Sequence, residues 1–520
     1  MLKYGEMATS GEKLAEALNE LKKLQDNGEV ALHTSELPNA HRKLLVKRGF
    51  LTEVSKGWYI PANPMQDPGD STTWYSSYWD FFAKFLEKKY GSDWSISAEQ
   101  SLLIHAGNWS VPTQLIIRSA KANNTPMQLP YNSSLFNLKA KIPEGTTTLI
   151  NRIRLYLPQA ALVYSSPAIF NSNPIEARTA LSMIRDASEL LPLLINNGHT
   201  RIAGRLAGAF RNIGRDKTAT DIVDAMKATD FDTRESDPFT YRLELELSSR
   251  ERSPQVNRIK LIWKEMREVV IANFPKAPGL PKEVASYIKQ VEDIYITDAY
   301  HSLSIERYRV TPQLIERVRT GEWDKNGSNE DKQQKDAMAA RGYWQAFQEV
   351  KVTIHAILNG SNPGKQLYND HGKWYRQLFD PSIAAGILQP ADLAGYRNNQ
   401  VYIGGSKHVP LSVDAMRDVM PVFFELLEHE PEAAVRAVLG HFIFVFIHPY
   451  MDGNGRIGRF LMNAMLASGG YPWTVIPVEK RSLYMEALEK ASVQQDIKPF
   501  VEFVAHFVQL GMQGHPEAHI

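Results

Sequence analysis

Between Ala433 and Ile447 the chain reads Ala-Ala-Val-Arg-Ala-Val-Leu-Gly-His-Phe-Ile-Phe-Val-Phe-Ile, and its C-terminal half is apolar on every side of a helix. A helix with no face for water has to be enclosed by other elements. The chain is therefore constrained to wrap further helices around this segment. It is not a membrane span. The run is interrupted by Arg436 and His441, and a bilayer needs roughly 20 apolar residues. No membrane partner is expected.

The segment after that helix carries the chemistry: His448-Pro-Tyr-Met-Asp452-Gly453-Asn454-Gly455-Arg456-Ile-Gly-Arg459. Pro449 ends the buried helix, so His448 stands at the rim of a rigid element. Gly453 and Gly455 allow a tight loop that opens into a second helix, Arg456 to Ser468, stopped by Gly469-Gly470. Loop amides together with a helix N-terminus make an anion site. Arg456, Arg459 and Asn463 fall on one face of the second helix, leaving Ile457, Phe460, Leu461 and Met465 for the core. Two guanidiniums beside such a loop suit a polyphosphate. Asp452 can hold Mg²⁺ through one carboxylate, the usual way this ion meets nucleotide phosphates. His448 is the nearby group able to take a proton near neutral pH. The local reading is a nucleoside triphosphate with Mg²⁺, attacked by a hydroxyl that gives its proton to His448. The chain has no Gly-x-x-x-x-Gly-Lys-Ser/Thr and no kinase signature, which excludes those phosphoryl-transfer classes.

This stretch resembles the signature of the Fic family, His-x-Phe-x-(Asp/Glu)-Gly-Asn-Gly-Arg-x-x-Arg, with Tyr450 in place of Phe. The resemblance covers about residues 285–515. It implies transfer of AMP from ATP to a Ser, Thr or Tyr hydroxyl of a protein. It also implies His448 as general base, Asp452 as Mg²⁺ ligand, Gly453, Asn454 and Gly455 as the anion hole, and Arg456 and Arg459 as the phosphate clamp. Gly455 matches the AMP-transferring branch rather than the kinase branch, which has Lys there. Three further segments are similar to family features. Val401, Tyr402 and Ile403, in an expected β-hairpin running to Val409, resemble a flap that pairs with the target. Tyr484 resembles a wall beside the adenine. Ser302-Leu-Ser-Ile-Glu306 resembles an inhibitory helix whose Glu pairs with the second Arg, here Arg459. Arg307 departs from the Gly or Asn that usually comes next.

The N-terminal half reads differently. Thr9 and Glu12 fit a capping box, and Leu14, Leu18, Leu21 and Leu24 make one apolar stripe. Thr34 is placed to cap a small helix and Asn39 a second one, to about Arg48. Two short strands come next, around Ser55-Lys56. That order is a winged helix, with Arg42, Lys43, Lys47, Arg48 and Lys56 on its second helix and wing. Those cations either face nucleic-acid phosphates or form a solvated face. With the α/β region behind it, the outline resembles AbiEi-type antitoxin regulators, which implies DNA-binding autoregulation. Arg201, Arg205 and Arg211 read as a solvated helix face.

The expected architecture is mostly α and multi-domain. A winged helix (1–62), an α/β middle region (63–245) and a helical linker (246–284) precede an all-helical Fic domain (285–515) carrying the hairpin flap. Polar breaks are expected at Asp230–Pro254 and Asp324–Lys332. Across 520 residues, Lys+Arg is 59 against Asp+Glu 58, so a polyanion-coating protein is excluded as a whole. Cys is 0, which removes disulfides, thiolate metal sites and a Cys nucleophile. The N-terminus lacks a signal-peptide apolar region, and a cytoplasmic location is expected. The partners expected are ATP, a protein target that includes the chain itself, and DNA at the N-terminal domain. Two other functions fit the same residues: a DNA-binding regulator whose Fic domain senses nucleotide, and de-AMPylation at the same site.

Overall fold

A computed structural model describes residues 9–67, 69–242, 253–321 and 331–520, with side chains from residue 335 onward in the last stretch. The readings at residues 1–7, at 243–252 of the Asp230–Pro254 break and at 324–330 of the second break lie outside the described residues. The chain divides into two compact units. One is Met1–Pro254 with Tyr402–Val409, the other Gln255–Val401 with Pro410–Ile520.

In the first unit, α1 (Ser10–Asp26) starts with the expected capping box. Glu12 N donates to Thr9 Oγ1 at 3.3 Å and Thr9 N donates to Glu12 Oε2 at 2.7 Å. Next come β1 (Leu32–His33), α2 (Asn39–Lys47), β2 (Leu51–Ser55) and β3 (Trp58–Pro61), in a sheet ordered β1-β3-β2. The small helix expected from Thr34 is only a turn. Pro38 stands four residues on, and the Thr34 and Leu37 carbonyls accept from Arg42 Nη1 instead of from helix amides. Asn39 does not cap α2 either. Pro38 is the cap residue, and the Asn39 Oδ1 accepts from Arg42 Nη2 at 2.8 Å. The aromatic helix α3 (Thr72–Tyr90) packs Trp74, Tyr78, Phe81 and Phe82 into an aromatic-rich core of this unit. A mixed sheet ordered β4-β5-β7-β6 lies beside it, built from β4 (Ser95–Ile96), β5 (Gln114–Ser119), β6 (Thr125–Leu129) and β7 (Ser133–Lys139), with β5 and β7 parallel. The hairpin β8 (Thr147–Ile150) and β9 (Ile153–Tyr156) precedes a run of helices to Ala228. Arg205 and Arg211 are not simply solvated. Arg205 lies over the Phe170 ring, and Arg211 Nε donates to Glu235 Oε1 at 2.6 Å.

The second unit is helical. Its centre is α8 (Ala433–Ile447), reached after α4 (Tyr295–Ile305), α5 (Asp331–Leu358), α6 (Pro363–Ala384) and α7 (Val413–His429). Phe442, Ile443, Phe444, Phe446 and Ile447 are all buried, each contributing about 1.5–3 kcal/mol relative to exposure. α9 (Asn454–Ala467) packs tightly on α8 because a glycine on each helix receives a larger side chain from the other. A Cβ on Gly440 would stand 2.8 Å from Leu461 Cδ2, and one on Gly458 would stand 3.0 Å from His441 Nδ1. α10 (Arg481–Gln494) and α11 (Lys498–Met512) complete the bundle. The helix Pro254–Asn273, in the stretch expected to be a linker, is anchored here. Its Trp263 Nε1 donates to the buried Glu430 Oε2 at 3.2 Å, and Arg267 Nε donates to the same oxygen at 2.8 Å.

The hairpin expected at Val401–Val409 is not formed. A turn exists, with Ser406 N donating to Ile403 O at 3.1 Å, but neither arm pairs as a strand. The backbone groups are satisfied otherwise. Within the first unit, Gly405 N donates to Thr72 Oγ1 at 2.8 Å and Lys407 O accepts from Val111 N at 2.8 Å. Among the described residues no helix is long and apolar enough to cross a membrane.

Candidate active site

His448 caps the C-terminus of α8 in the left-handed region, at φ 56° and ψ 60°. Pro449 ends the helix here, since a residue before proline is disfavoured in the right-handed helical region. Left-handed backbone costs a non-glycine residue roughly 1 kcal/mol, so the surroundings must hold it. They do. His448 N donates to Phe444 O at 3.0 Å, and Arg397 Nε donates to the His448 carbonyl at 2.8 Å. Arg397 is itself buried, bonded to the Asn399 and Leu411 carbonyls. No sequence signal marks this residue, because its partners are backbone atoms. The ring Nδ1 lies 3.1 Å from Val445 O. A neutral imidazole with its proton there leaves Nε2 as a free acceptor. Burial, with Arg397 adding to it, pushes the His448 imidazole down to about 4. The ring is therefore neutral, and so able to accept a proton, across the physiological range.

The loop after His448 is held by its own side chains. Asn454 Oδ1 accepts from Tyr450 N at 2.9 Å and its Nδ2 donates to Tyr450 O at 2.8 Å. Asn454 is therefore a clasp of the loop. Its side-chain amide is spent there, which leaves only its backbone N–H, at the start of α9, to face a ligand. The Tyr450 ring, where the motif has Phe, stacks on Tyr375 with centroids 3.8 Å apart. Gly453 takes φ 82° at the N-cap of α9, with Phe379 against its α-carbon. Asp452 turns outward, its side chain 66% exposed, accepting from Gly453 N at 2.5 Å and facing Arg456 Nη2 at 3.3 Å. An outward single carboxylate next to a polyphosphate site is the donor set Mg²⁺ uses when phosphates and water supply its other ligands. No cluster of three or more metal-ligating side chains exists among the described residues, so these residues offer no closed cage.

The second arginine is occupied. Arg459 Nε donates to Ser302 Oγ at 2.8 Å, and its Nη2 donates to Ser302 O at 3.0 Å and Glu306 Oε1 at 2.7 Å. Ser302 and Glu306 come from the end of α4. Burial raises the Glu306 carboxyl, but Arg459, Arg456 and Arg481 outweigh it and hold the group below its usual value. A Cβ on Gly455 would stand 2.3 Å from Glu306 Oε1, so this carboxylate rests directly on the second loop glycine. Glu306 and Arg459, 153 residues apart in sequence, thus meet at one point. Arg481, which the sequence does not mark, ties α4 from the far side by donating from Nε to Ile305 O at 2.7 Å. A cation there complements a helix C-terminus.

Several predicted positions lie elsewhere. Asn463 spends its amide on Thr474: Nδ2 donates to Thr474 O at 3.0 Å and Oδ1 accepts from Thr474 N at 2.7 Å. Tyr484 is a buried core residue with its hydroxyl 2.7 Å from His441 Nε2, not an open wall. Tyr402 is exposed, while Val401 and Ile403 are half-buried, all without strand pairing. Of the basic set, Arg42 is fixed to Thr34, Leu37 and Asn39, whereas Lys43, Lys47, Arg48 and Lys56 are exposed.

A left-handed histidine, a glycine turn at a helix N-terminus and two arginines on that helix come together in one helical unit. Residues 365–466, within the second unit, match the Fic/DOC family. The chain is 40% identical over 124 residues to a protein named "Protein adenylyltransferase Fic" from Drosophila willistoni, covering 23% of this chain and 24% of that one. The Drosophila melanogaster protein of the same name gives 40% over 124 residues, with 25% of its length covered. The chain thus spans about a quarter of the length of these relatives. Among solved structures, Fic-1 (residues 134–508) from C. elegans is similar at 17% identity and TM-score 0.37, covering 66% of this chain and 87% of that one. A Fic domain containing signaling protein from Bacteroides thetaiotaomicron is similar at 18% identity and TM-score 0.33, covering 49% and 98%.

Proposed function

We propose that the chain is a protein adenylyltransferase that moves AMP from Mg·ATP to a Ser, Thr or Tyr hydroxyl of a protein, and that Glu306 restrains it. The observation that carries the reading is the Glu306 carboxylate lying on Gly455 and bonded to Arg459. A side-chain anion fills the place where a phosphate would meet a helix N-terminus and a guanidinium. In the proposed reaction His448 Nε2 takes the proton of the acceptor hydroxyl. The hydroxyl oxygen bonds to the α-phosphorus, the bond from that phosphorus to the bridging oxygen breaks, and pyrophosphate leaves. The amides at Gly453 to Arg456 receive the α-phosphate charge, and Arg456 and Arg459 bind the phosphates beyond it. Asp452 would hold Mg²⁺, which supplies neutralisation of phosphate charge.

The test is incubation of the full chain with α-labelled ATP and Mg²⁺ in a host lysate, reading label transfer and intact mass. Glu306→Gly should label targets or itself strongly and the wild type weakly. Glu306→Gly/His448→Ala should lose about 10²–10⁴-fold. ATP binding with no labelling in any form would overturn the reading. AMP release from pre-modified protein by the wild type would redirect it to de-AMPylation. A second reading, for the first unit alone, is contact with duplex DNA, favoured by the exposed Lys43, Lys47, Arg48 and Lys56. A Kd that weakens steeply with salt would support it.

A further inference from the structure

Arg456 is held in an unusual way. It is 1% exposed, yet its one ion pair among the described residues is the 3.3 Å contact of Nη2 with Asp452. Its Nε is buried with no hydrogen-bond partner among the described residues. What surrounds the guanidinium is aromatic: its carbon lies 5.3 Å from the Tyr308 ring centroid and 5.1 Å from that of Phe379. Two rings acting on a planar cation fix its orientation and leave the N–H edge to choose the ligand. Tyr308, Phe379, Asp452 and Arg456 line a cavity of about 980 Å³, so the clamped guanidinium borders open space.

Tyr308 comes from the segment that ends the inhibitory helix. Tyr308 N donates to Leu303 O at 3.1 Å and Arg307 N donates to Ser304 O at 2.9 Å. This pair of bonds is the Schellman closure of a helix. It fixes Glu306 and Tyr308 relative to one another, the first on Arg459 and the second on Arg456. Lys335 Nζ lies 5.8 Å from the same Tyr308 ring. Phe379 is placed from α6, where it also packs against Gly453 of the loop.

We propose that Tyr308 and Phe379 are positioning residues that pre-set Arg456 for a phosphate oxygen of the nucleotide, so that the end of α4 governs both arginines. The inference rests on the adenylyltransferase reading for the identity of the ligand. An oriented guanidinium whose Nη2 stands beside an outward carboxylate is a donor set for one phosphate group and its bound cation. Removing a ring lets the guanidinium swing, and the cost of ordering it falls on nucleotide binding.

The experiment uses the full chain in the Glu306→Gly background, comparing Tyr308→Ala, Tyr308→Phe and Phe379→Leu. Mg·ATP affinity is read by calorimetry, kcat and KM by label transfer, and folding by Tm. Tyr308→Ala and Phe379→Leu should each weaken Mg·ATP binding and raise KM by about 2–10-fold, with a smaller change in kcat. Tyr308→Phe keeps the ring and should rescue the affinity. Equal affinities for the Ala and parent proteins would overturn the proposal. So would a Tyr308→Phe protein as weak as Tyr308→Ala, since the hydroxyl rather than the ring would then matter. A Phe379→Leu loss explained wholly by a lowered Tm would leave Tyr308→Ala as the deciding variant. If the parent binds Mg·ATP but transfers nothing, the activity fails while the binding measurements still decide the clamp. A parent that does not bind Mg·ATP would overturn both.

Discussion

Arg459 donates to Glu306 at 2.7 Å while its Nη1 is buried and unbonded among the described residues. The pair joins the end of α4 to the first turns of α9, and it is asymmetric: Glu306 has three arginines around it, whereas Arg459 has one ion-pair partner among the described residues. Removing Glu306 therefore strands a buried cation, which costs roughly 1–3 kcal/mol. Glu306→Gly should lower Tm in the absence of nucleotide and show a larger rise than wild type when Mg·ATP is added. Differential scanning fluorimetry with and without Mg·ATP reads both. An unchanged Tm together with an unchanged nucleotide shift would mean that the pair is not a restraint.

Arg307 sits at φ 66°, in the αL position that closes the helix behind Glu306. Glycine and asparagine tolerate this position, and arginine does so at a cost of about 1–2 kcal/mol. The departure from the family pattern is thus not a failure of geometry, since the Glu306–Arg459 contact forms regardless. It is strain stored in the form that makes the Glu306–Arg459 contact. Arg307→Gly should relieve it, raise Tm by a few degrees and lower basal label transfer about 3–10-fold, because the restrained conformation gains the difference. A rise in basal activity would show instead that the Arg307 side chain itself holds the restraint.

How far the site is legible in the sequence depends on range. His448, Asp452, Gly453, Gly455, Arg456 and Arg459 lie within a dozen residues, so loop and helix spacing alone put them together. Ser302 and Glu306 are reached only through family resemblance, because nothing in the spacing says that α4 crosses α9. The side-chain partners of Asn454 and Asn463 are not legible, because a helix face can be read from sequence but a side chain turned to Tyr450 or Thr474 cannot. Arg397 and Arg481 escape because they bind carbonyls, and every residue has a carbonyl. In the first unit β5 is readable from the run Leu115-Ile-Ile, whereas β6 and β7 are hidden by Pro126, Asn132 and the Pro130-Tyr131 turn. The hairpin at 401–409 fails for a related reason: its alternation is right, but its partner groups are Thr72 and Val111.

Gly455 is held to glycine by what approaches it. A Cβ would lie 2.3 Å from Glu306 Oε1 and 3.3 Å from Arg459 Nη1. Gly455→Ala should displace the flexible carboxylate while blocking the same space to phosphate. It is expected to weaken Mg·ATP binding by at least about tenfold, a loss of about 1.4 kcal/mol or more, and Glu306→Gly should not rescue it. Calorimetry on the single and double variants checks this. Rescue in the double variant would mean that the methyl clashes with Glu306 alone.

Acid should unfold the second unit before it releases the restraint. Burial pushes His371, His441 and His448 each down to about 4, so all three stay neutral in the fold while their unfolded counterparts take protons below 6.5. Asp298 works in the opposite sense. Burial pushes it up to about 6, against hydrogen bonds donated by Tyr343 at 2.6 Å and Trp473 at 2.9 Å, so it is protonated in the fold while still ionised in the unfolded chain. The three histidines outweigh the one aspartate, and the unfolded state binds more protons between about 6.5 and 4. Stability should fall as pH drops through that window, on the order of 1–3 kcal/mol per pH unit. Glu306 is held below its ordinary value, so its contribution is full above 4.5 and is lost only as pH falls through its lower folded value. At pH 5 the chain should therefore be less stable but still restrained. Urea unfolding monitored by the tryptophans of the second unit, with label transfer at pH 7.5 and 5, checks both halves. Basal activity that rises on acidification while Tm stays constant would show that a group other than Glu306 sets the restraint.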